Sequence, residues 1–118
     1  MTTEEFEELA DKAVKSLPKF FKDKMQNIVV IVAAAPNPAQ TRKFGSGLLG
    51  LYEGVPILDR GTNYSGAMPD KITLFQKNIE GRGTDLEATE KEVRHVVMHE
   101  IAHHFGITDE ELLKKGLY

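Results

Sequence analysis

Apolar residues recur at helical spacing over the first part of the chain, and the pattern ends at Pro18. Thr2 and Glu5 have the three-residue separation of a capping box, which satisfies backbone N–H groups at the start of a helix. The pattern therefore predicts an amphipathic first helix whose charged residues face solvent. Its apolar positions are Phe6, Leu9, Ala10, Ala13, Val14 and Leu17.

Four further segments predict the strands of a sheet. Residues 28–32 are β-branched throughout and lack polar alternation, which is typical of a strand covered on both faces, so we expect this strand to be central. Residues 48–52 and 55–58 are short apolar segments that predict two more strands. Residues 71–77 alternate apolar and polar side chains over part of their length, which indicates an exposed edge strand.

Prolines and glycines interrupt the pattern after the first predicted strand. Pro36 and Pro38 predict a loop that continues through Gly45 and Gly47. The sequence Gly45-x-Gly47-x-x-Gly50 has the letters of a phosphate-binding loop. It neither leaves a strand directly nor precedes a helix-forming run, so we do not predict a phosphate site.

The longest helical pattern follows residue 83. Thr84 or Asp85 is suited to cap its start, with Thr89 and Glu92 as a later alternative cap. Gly106 closes the helix at the position that favours a left-handed residue. A second capping pair, Thr108 with Glu111, predicts a last short helix. One side of the long helix is apolar and is expected to face the core. Its members are Val93, Val97, Ile101 and Phe105.

His99 and His103 lie on the opposite side of the same helix. Residues four apart share a helical face, so both imidazoles are able to bind one ion. Zinc is the expected ion for the sequence His-Glu-x-x-His. Glu100 lies beside the pair, where it is placed to accept a proton from a water at the metal. The segment predicts a catalytic zinc site with His99 and His103 as ligands and Glu100 as general base.

A third metal ligand is expected after the helix, because a catalytic zinc has three protein ligands and one open position. Gly106 lets the backbone reverse, which brings the next residues back toward the ion. Asp109 is therefore the predicted third ligand, with Glu110 and Glu111 as alternatives. His104 falls on the apolar side of the helix and is interpreted as a core histidine.

Composition agrees with a single globular domain over residues 1–118. The net charge of -3 gives no basic surface for phosphates, so no nucleic acid is expected as a partner. The absence of cysteine leaves nitrogen and oxygen donors for a metal. The first residues lack the pattern of a signal peptide, and the longest apolar run, residues 28–35, is far shorter than the roughly 20 residues that cross a bilayer. We therefore expect a cytoplasmic protein without a membrane partner.

The sequence HEIAHHFGITD fits the extended pattern H-E-x-x-H-x-x-G-x-x-D, which is similar to the aspartate-ligand form of the metzincin peptidases. Together with LLGLYEGVPILDR and PDKITLFQKNIE upstream, it makes the chain resemble a family of small bacterial proteins with a minimal zincin-like metallopeptidase domain. The resemblance covers nearly the whole chain. It implies an α+β fold with a small mixed twisted sheet, an N-terminal helix, an active-site helix and a short C-terminal helix.

The resemblance also implies the chemistry. It implies one zinc ion on His99, His103 and Asp109, with Glu100 as general base. It further implies that residues 72–75 border the cleft, where an extended peptide or protein substrate adds as another strand.

The predicted function is a zinc-dependent peptidase that hydrolyses peptide bonds with a metal-activated water. Two other classes stay open. One is a non-catalytic binding module in which the metal stabilises the C-terminal turn. The other is a metal-dependent RNA hydrolase, since a small ribonuclease-like family also has two helical histidines four residues apart. Glu100, Asp109 and the acidic net charge favour the peptidase.

Overall fold

The computed structural model describes residues 1–54, 69–82 and 85–117. Helix α1 is Thr3–Lys15, and it begins with a complete capping box. The Thr2 hydroxyl accepts a hydrogen bond from the Glu5 N–H (3.1 Å), and the Glu5 carboxylate accepts one from the Thr2 N–H (3.0 Å). The predicted first helix is therefore confirmed.

The chain between α1 and the first strand is also helical. Helix α2 is Lys19–Lys22, and the 3₁₀ turn Asp23–Asn27 follows it. Strand β1 is Ile28–Ala33. The next element is helix α3, Pro38–Phe44, in a segment where the sequence predicted a loop.

The loop prediction was wrong because Pro38 starts a helix instead of breaking one. Asn37 is the N-cap, and its side chain accepts a hydrogen bond from the Gln40 N–H (2.7 Å), while the Gln40 side chain accepts one from the Asn37 N–H (2.9 Å). Proline suits the first helical position, where its missing N–H needs no partner. Gly45 ends the helix at φ +90°, so this glycine serves a helix end.

Strands β2, Gly50–Glu53, and β3, Asp70–Phe75, join β1 in the sheet formed by the described residues. The order is β1-β3-β2, with β1 parallel and β2 antiparallel to β3. Among the described strands β3 is therefore central and β1 lies at an edge, so the predictions of a central strand at residues 28–32 and an edge strand at residues 71–77 were wrong. Strand β2 confirms the strand predicted at residues 48–52, whereas residues 55–58 lie outside the described part.

Burial explains why β1 and β3 exchange their predicted places. Val29 and Ile31 are 43% and 42% exposed, so one face of β1 is not covered. The branched side chains of β1 favour an extended backbone, but this preference does not require burial on both faces. The polar Thr73 of β3 is only 4% exposed. Because β1 and β2 occupy the two edges of β3, a peptide does not add as a strand at residues 72–75, and the predicted substrate position is corrected on this point.

Helices follow β3 in the described part of the chain. They are α4, Gln76–Glu80, α5, Leu86–His104, and α6, Asp109–Lys114. Asp85 caps α5 by accepting a hydrogen bond from the Ala88 N–H (2.7 Å), whereas Thr84 lies outside the described residues. Thr108 caps α6 through the Glu111 N–H (3.2 Å), as predicted.

Helix α5 is the element on which the core is built. It packs against α1 on one side and against β2 and β3 on another. No helix within the three described ranges is long and apolar enough to cross a membrane. Helices packed on a small mixed sheet confirm the α+β fold class. The largest fully buried side chains are Phe6, Phe21, Phe75, Ile72, Leu74, Ile79, Ile101, Leu112, Val93 and Val97.

Candidate metal centre

Helix α5 brings His99 and His103 together on one face. Their ring centroids lie 4.4 Å apart, with the ring planes at 48°. His99 is half-buried and His103 is exposed. His95 continues the row one turn earlier, with its ring 6.3 Å from that of His99. The regular 3.6-residue turn thus produces the histidine pair that the sequence predicted.

A cavity of about 420 Å³ lies beside this row of histidines. Its walls come from α5 on one side and from the segment that leads into β2 on the other. An ion pair between Arg82 Nε and Glu92 Oε1 (3.1 Å) lies at its wall. The lining residues are Phe44, Gly47, Leu48, Leu49, Gly50, Arg82, Glu92, His95, Val96, His99 and Glu100.

The side chain of Glu100 lies between α5 and β2 and is half-buried. Its Oε1 accepts a hydrogen bond from the backbone N–H of Tyr52, at 2.9 Å. The close approach of the two elements depends on Gly50, because a Cβ there would lie 2.6 Å from Val96 Cγ1 and 3.6 Å from Glu100 Cγ. The missing side chain of Gly50 therefore lets β2 approach Val96 on α5, next to Glu100.

The turn after α5 has the hydrogen bonds of a Schellman motif. Gly106 has φ +70°, its N–H donates to the His103 carbonyl (3.2 Å), and the Ile107 N–H donates to the Ala102 carbonyl (2.8 Å). The predicted chain reversal at Gly106 is therefore confirmed. It leads directly into the first turn of α6, which begins at Asp109.

Asp109 is exposed and shares a surface hollow of about 310 Å³ with His103. Within residues 1–54, 69–82 and 85–117, no group of three His, Cys, Asp or Glu side chains lies close enough to hold a metal ion. The structure thus brings His99 and His103 together but does not add Asp109 to the cluster. The role of Asp109 as third ligand stays a prediction.

His104 is exposed and is not the core histidine that the sequence indicated. Its ring stacks on that of Tyr52, with centroids 3.9 Å apart and planes at 14°. Phe105 is likewise 47% exposed, whereas Val97 and Ile101 on the same predicted arc are fully buried. The apolar side of α5 is therefore covered by the core at Val97 and Ile101 but not at Phe105, where the helix ends.

Tyr52 is the residue at this site that the sequence did not indicate. Its hydroxyl donates to Asp70 Oδ2 at 2.7 Å, in addition to its contacts with Glu100 and His104. Burial and this hydrogen bond raise the pKa of the Tyr52 phenol above its usual range, so it stays a donor. No local pattern marks such a residue, because its partners lie 18 and 48 positions away.

Comparison with known proteins agrees with the geometry of α5. Residues 25–117, more than three quarters of the chain, match the family described as zincin-like metallopeptidase. The matched range includes the histidine pair and extends through α6. No curated protein matches the chain. The chain therefore belongs to the zincin-like metallopeptidase family.

Proposed function

We propose that this chain is a zinc-dependent peptidase in which His99, His103 and Asp109 hold the metal and Glu100 is the general base. One observation carries the proposal. His99 and Glu100 line a cavity of about 420 Å³, and the ring centroid of His103 lies 4.4 Å from that of His99, in a chain that belongs to a metallopeptidase family. Two helical histidines with an adjacent glutamate are the set that metal-assisted hydrolysis uses.

The donor set fits zinc. The chain has no cysteine, and imidazole nitrogen with carboxylate oxygen is a usual combination for catalytic zinc. His99 and His103 share one face of a helix, which lets both bind a single ion. When bound, zinc supplies Lewis acidity, which polarises a carbonyl and lowers the pKa of water toward about 7.

Asp109 completes the proposed ligand set. The Schellman turn at Gly106 reverses the chain within three residues, and Asp109 then begins α6 beside the hollow that His103 also lines. Its carboxylate is exposed, so a change of side-chain rotamer moves it without breaking the core. Glu110 and Glu111 follow in the same helical turn and are the alternative ligands.

Glu100 is proposed to move the proton. Its carboxylate is hydrogen-bonded to β2, because Oε1 accepts the bond from the Tyr52 N–H. We assign Oε2 to accept the proton of the attacking water and to pass it to the leaving amine. A half-buried carboxylate next to an apolar wall suits this role, since the cavity excludes part of the solvent.

The substrate is proposed to lie along β2 and not along β3. Among the described strands, β2 has β3 on one side only, and its other side faces Glu100. An extended peptide beside that side, with the Tyr52 N–H left to Glu100, would have its scissile bond near Glu100 and one side chain in the cavity. Phe44, Leu48 and Val96 make much of the cavity wall apolar.

The test compares zinc content and peptide cleavage in the parent, in Glu100→Gln and in a control, Glu87→Gln. Glu87 is exposed in the first turn of the same helix, far from the histidines. We expect one zinc per chain in all three proteins. Cleavage of unfolded casein and of a peptide library should fall by about 10²-fold or more in Glu100→Gln, because the general base is lost.

The same measurements decide against the proposal in two cases. Undiminished cleavage by Glu100→Gln would assign the base elsewhere. Full zinc content in a parent that cleaves neither substrate would favour a metal-stabilised binding module.

The third ligand is tested with Asp109→Asn against Glu110→Gln. Both carboxylates are exposed in the first turn of α6, so the two changes are matched in charge and position. Asp109→Asn should lower zinc affinity by at least tenfold, and Glu110→Gln should leave it unchanged. Equal zinc affinity in the two variants would move the third ligand to another residue.

A further inference from the structure

We propose that Tyr52 is a positioning residue that holds Glu100 in place, an inference that rests on the proposed function of Glu100. Three contacts converge on Tyr52. Its N–H donates to Glu100 Oε1 (2.9 Å), its hydroxyl donates to Asp70 Oδ2 (2.7 Å), and its ring stacks on His104 at 3.9 Å. The residue thus links β2 to the site helix and to the central strand.

The direction of the Tyr52 N–H follows from the register of the sheet. In the antiparallel pair, Tyr52 lies opposite Ile72, and the Leu49 carbonyl accepts a hydrogen bond from the Phe75 N–H. Along an antiparallel strand, the backbone N–H and C=O groups of successive residues point alternately toward the partner strand and away from it. The backbone N–H and C=O groups of Leu49 and Leu51 therefore point toward β3. The backbone N–H of Tyr52 points away from β3 and donates to Glu100.

A backbone donor is only as fixed as the strand that carries it. Tyr52 lies one residue before the end of β2, where a short strand is prone to fray. The hydroxyl bond to Asp70 ties its side chain to the first residue of β3, and the stacking on His104 ties it to the last turn of α5. The two contacts hold the N–H opposite Glu100, and a base displaced by a fraction of an ångström loses efficiency.

The main test compares Tyr52→Leu, Tyr52→Phe and a control, Leu9→Ala, in the zinc-loaded protein. Leucine keeps the N–H and loses both side-chain contacts, whereas phenylalanine keeps the ring for stacking. Leu9 is partly buried against the core from α1 and lies away from the site. Its replacement therefore reports the effect of lost stability alone.

We expect Tyr52→Leu to lower kcat by about tenfold or more, with KM and zinc content within twofold of the parent. Tyr52→Phe should recover part of the loss, and Leu9→Ala should lower Tm without lowering kcat. In a Glu100→Gln background, Tyr52→Leu should add no further loss, because it acts through Glu100. A full further loss in that background, or a decrease in kcat no larger than in Leu9→Ala, would overturn the inference.

A second measurement needs neither metal nor activity. In the zinc-free protein, the amide of residue 52 should exchange its hydrogen at least tenfold faster in Glu100→Ala than in the parent. The amide of Leu51, which faces β3, should not change and is the internal control. Unchanged exchange at residue 52 would overturn the inference. If the parent cleaves no peptide, the proposed function fails, and this exchange result alone decides whether Tyr52 holds Glu100.

Discussion

Replacing Gly50 with alanine tests whether β2 packs directly on helix α5. A Cβ at this position would lie 2.6 Å from Val96 Cγ1 and 3.4 Å from the Thr73 carbonyl oxygen. The shorter distance is well inside van der Waals contact, so either β2 or α5 must move. Overpacking of this kind costs about 1–3 kcal/mol.

Gly47→Ala is the matched control, because it adds the same methyl group to the same segment. A Cβ at Gly47 would have no heavy atom within 4 Å. Both variants reduce the conformational entropy of the unfolded chain by a similar amount, worth about 0.4–1 kcal/mol of stability. The difference between the two variants therefore isolates the steric cost, and we expect Gly50→Ala to be less stable than Gly47→Ala by about 1–3 kcal/mol.

The assay is urea unfolding followed by circular dichroism, with the free energies compared at a shared slope. A third variant, Gly50→Ala with Val96→Ala, removes the methyl group that the new Cβ meets. The double variant should be more stable than the sum of the two single changes predicts, since the clash is absent. Equal stability of Gly50→Ala and Gly47→Ala would refute the close packing of β2 on α5.

Three further predictions concern the helix ends and the phenol. Gly106→Ala should cost about 1–2 kcal/mol, because φ is +70° there, whereas Gly81→Ala, with φ −65°, should be near neutral in thermal unfolding. Asp85→Ala should cost about 1 kcal/mol through the lost cap of α5, and a smaller loss than in Leu86→Ala would contradict it. Since its pKa is raised, Tyr52 should stabilise the fold fully below about pH 10 and lose that contribution above it; Tyr52→Phe should flatten this alkaline decline.

Helix starts were predictable because their chemistry is local. Thr2, Asp85 and Thr108 each accept a hydrogen bond from an N–H three residues ahead, and the residues that do so are read directly from the sequence. The histidine pair was predictable for the same reason, since its geometry follows from the helical turn alone. The α3 helix was missed because Pro38 was interpreted as a breaker.

The arrangement of the sheet was not predictable in this way, because strand order depends on partners far along the chain. Residues 28–32 have the composition of a central strand, yet β1 lies at an edge of the sheet that the described strands form, with Val29 and Ile31 partly exposed. Tyr52 shows the same limit at the site. Its link to Glu100 spans 48 residues and uses a backbone N–H, which every residue type except proline possesses.

The position of β3 has a consequence for how the chain folds during synthesis. Strand β3 is the last of the described strands to leave the ribosome, and β1 and β2 both pair through it. Ile28 pairs with Asp70, so the pairing of β1 forms only after Asp70 has been synthesised. Such non-local contacts slow folding. Until then the apolar β1 segment is a site for aggregation. A lower growth temperature should leave the final stability unchanged and raise the yield of folded protein, because it weakens hydrophobic association of the exposed segment.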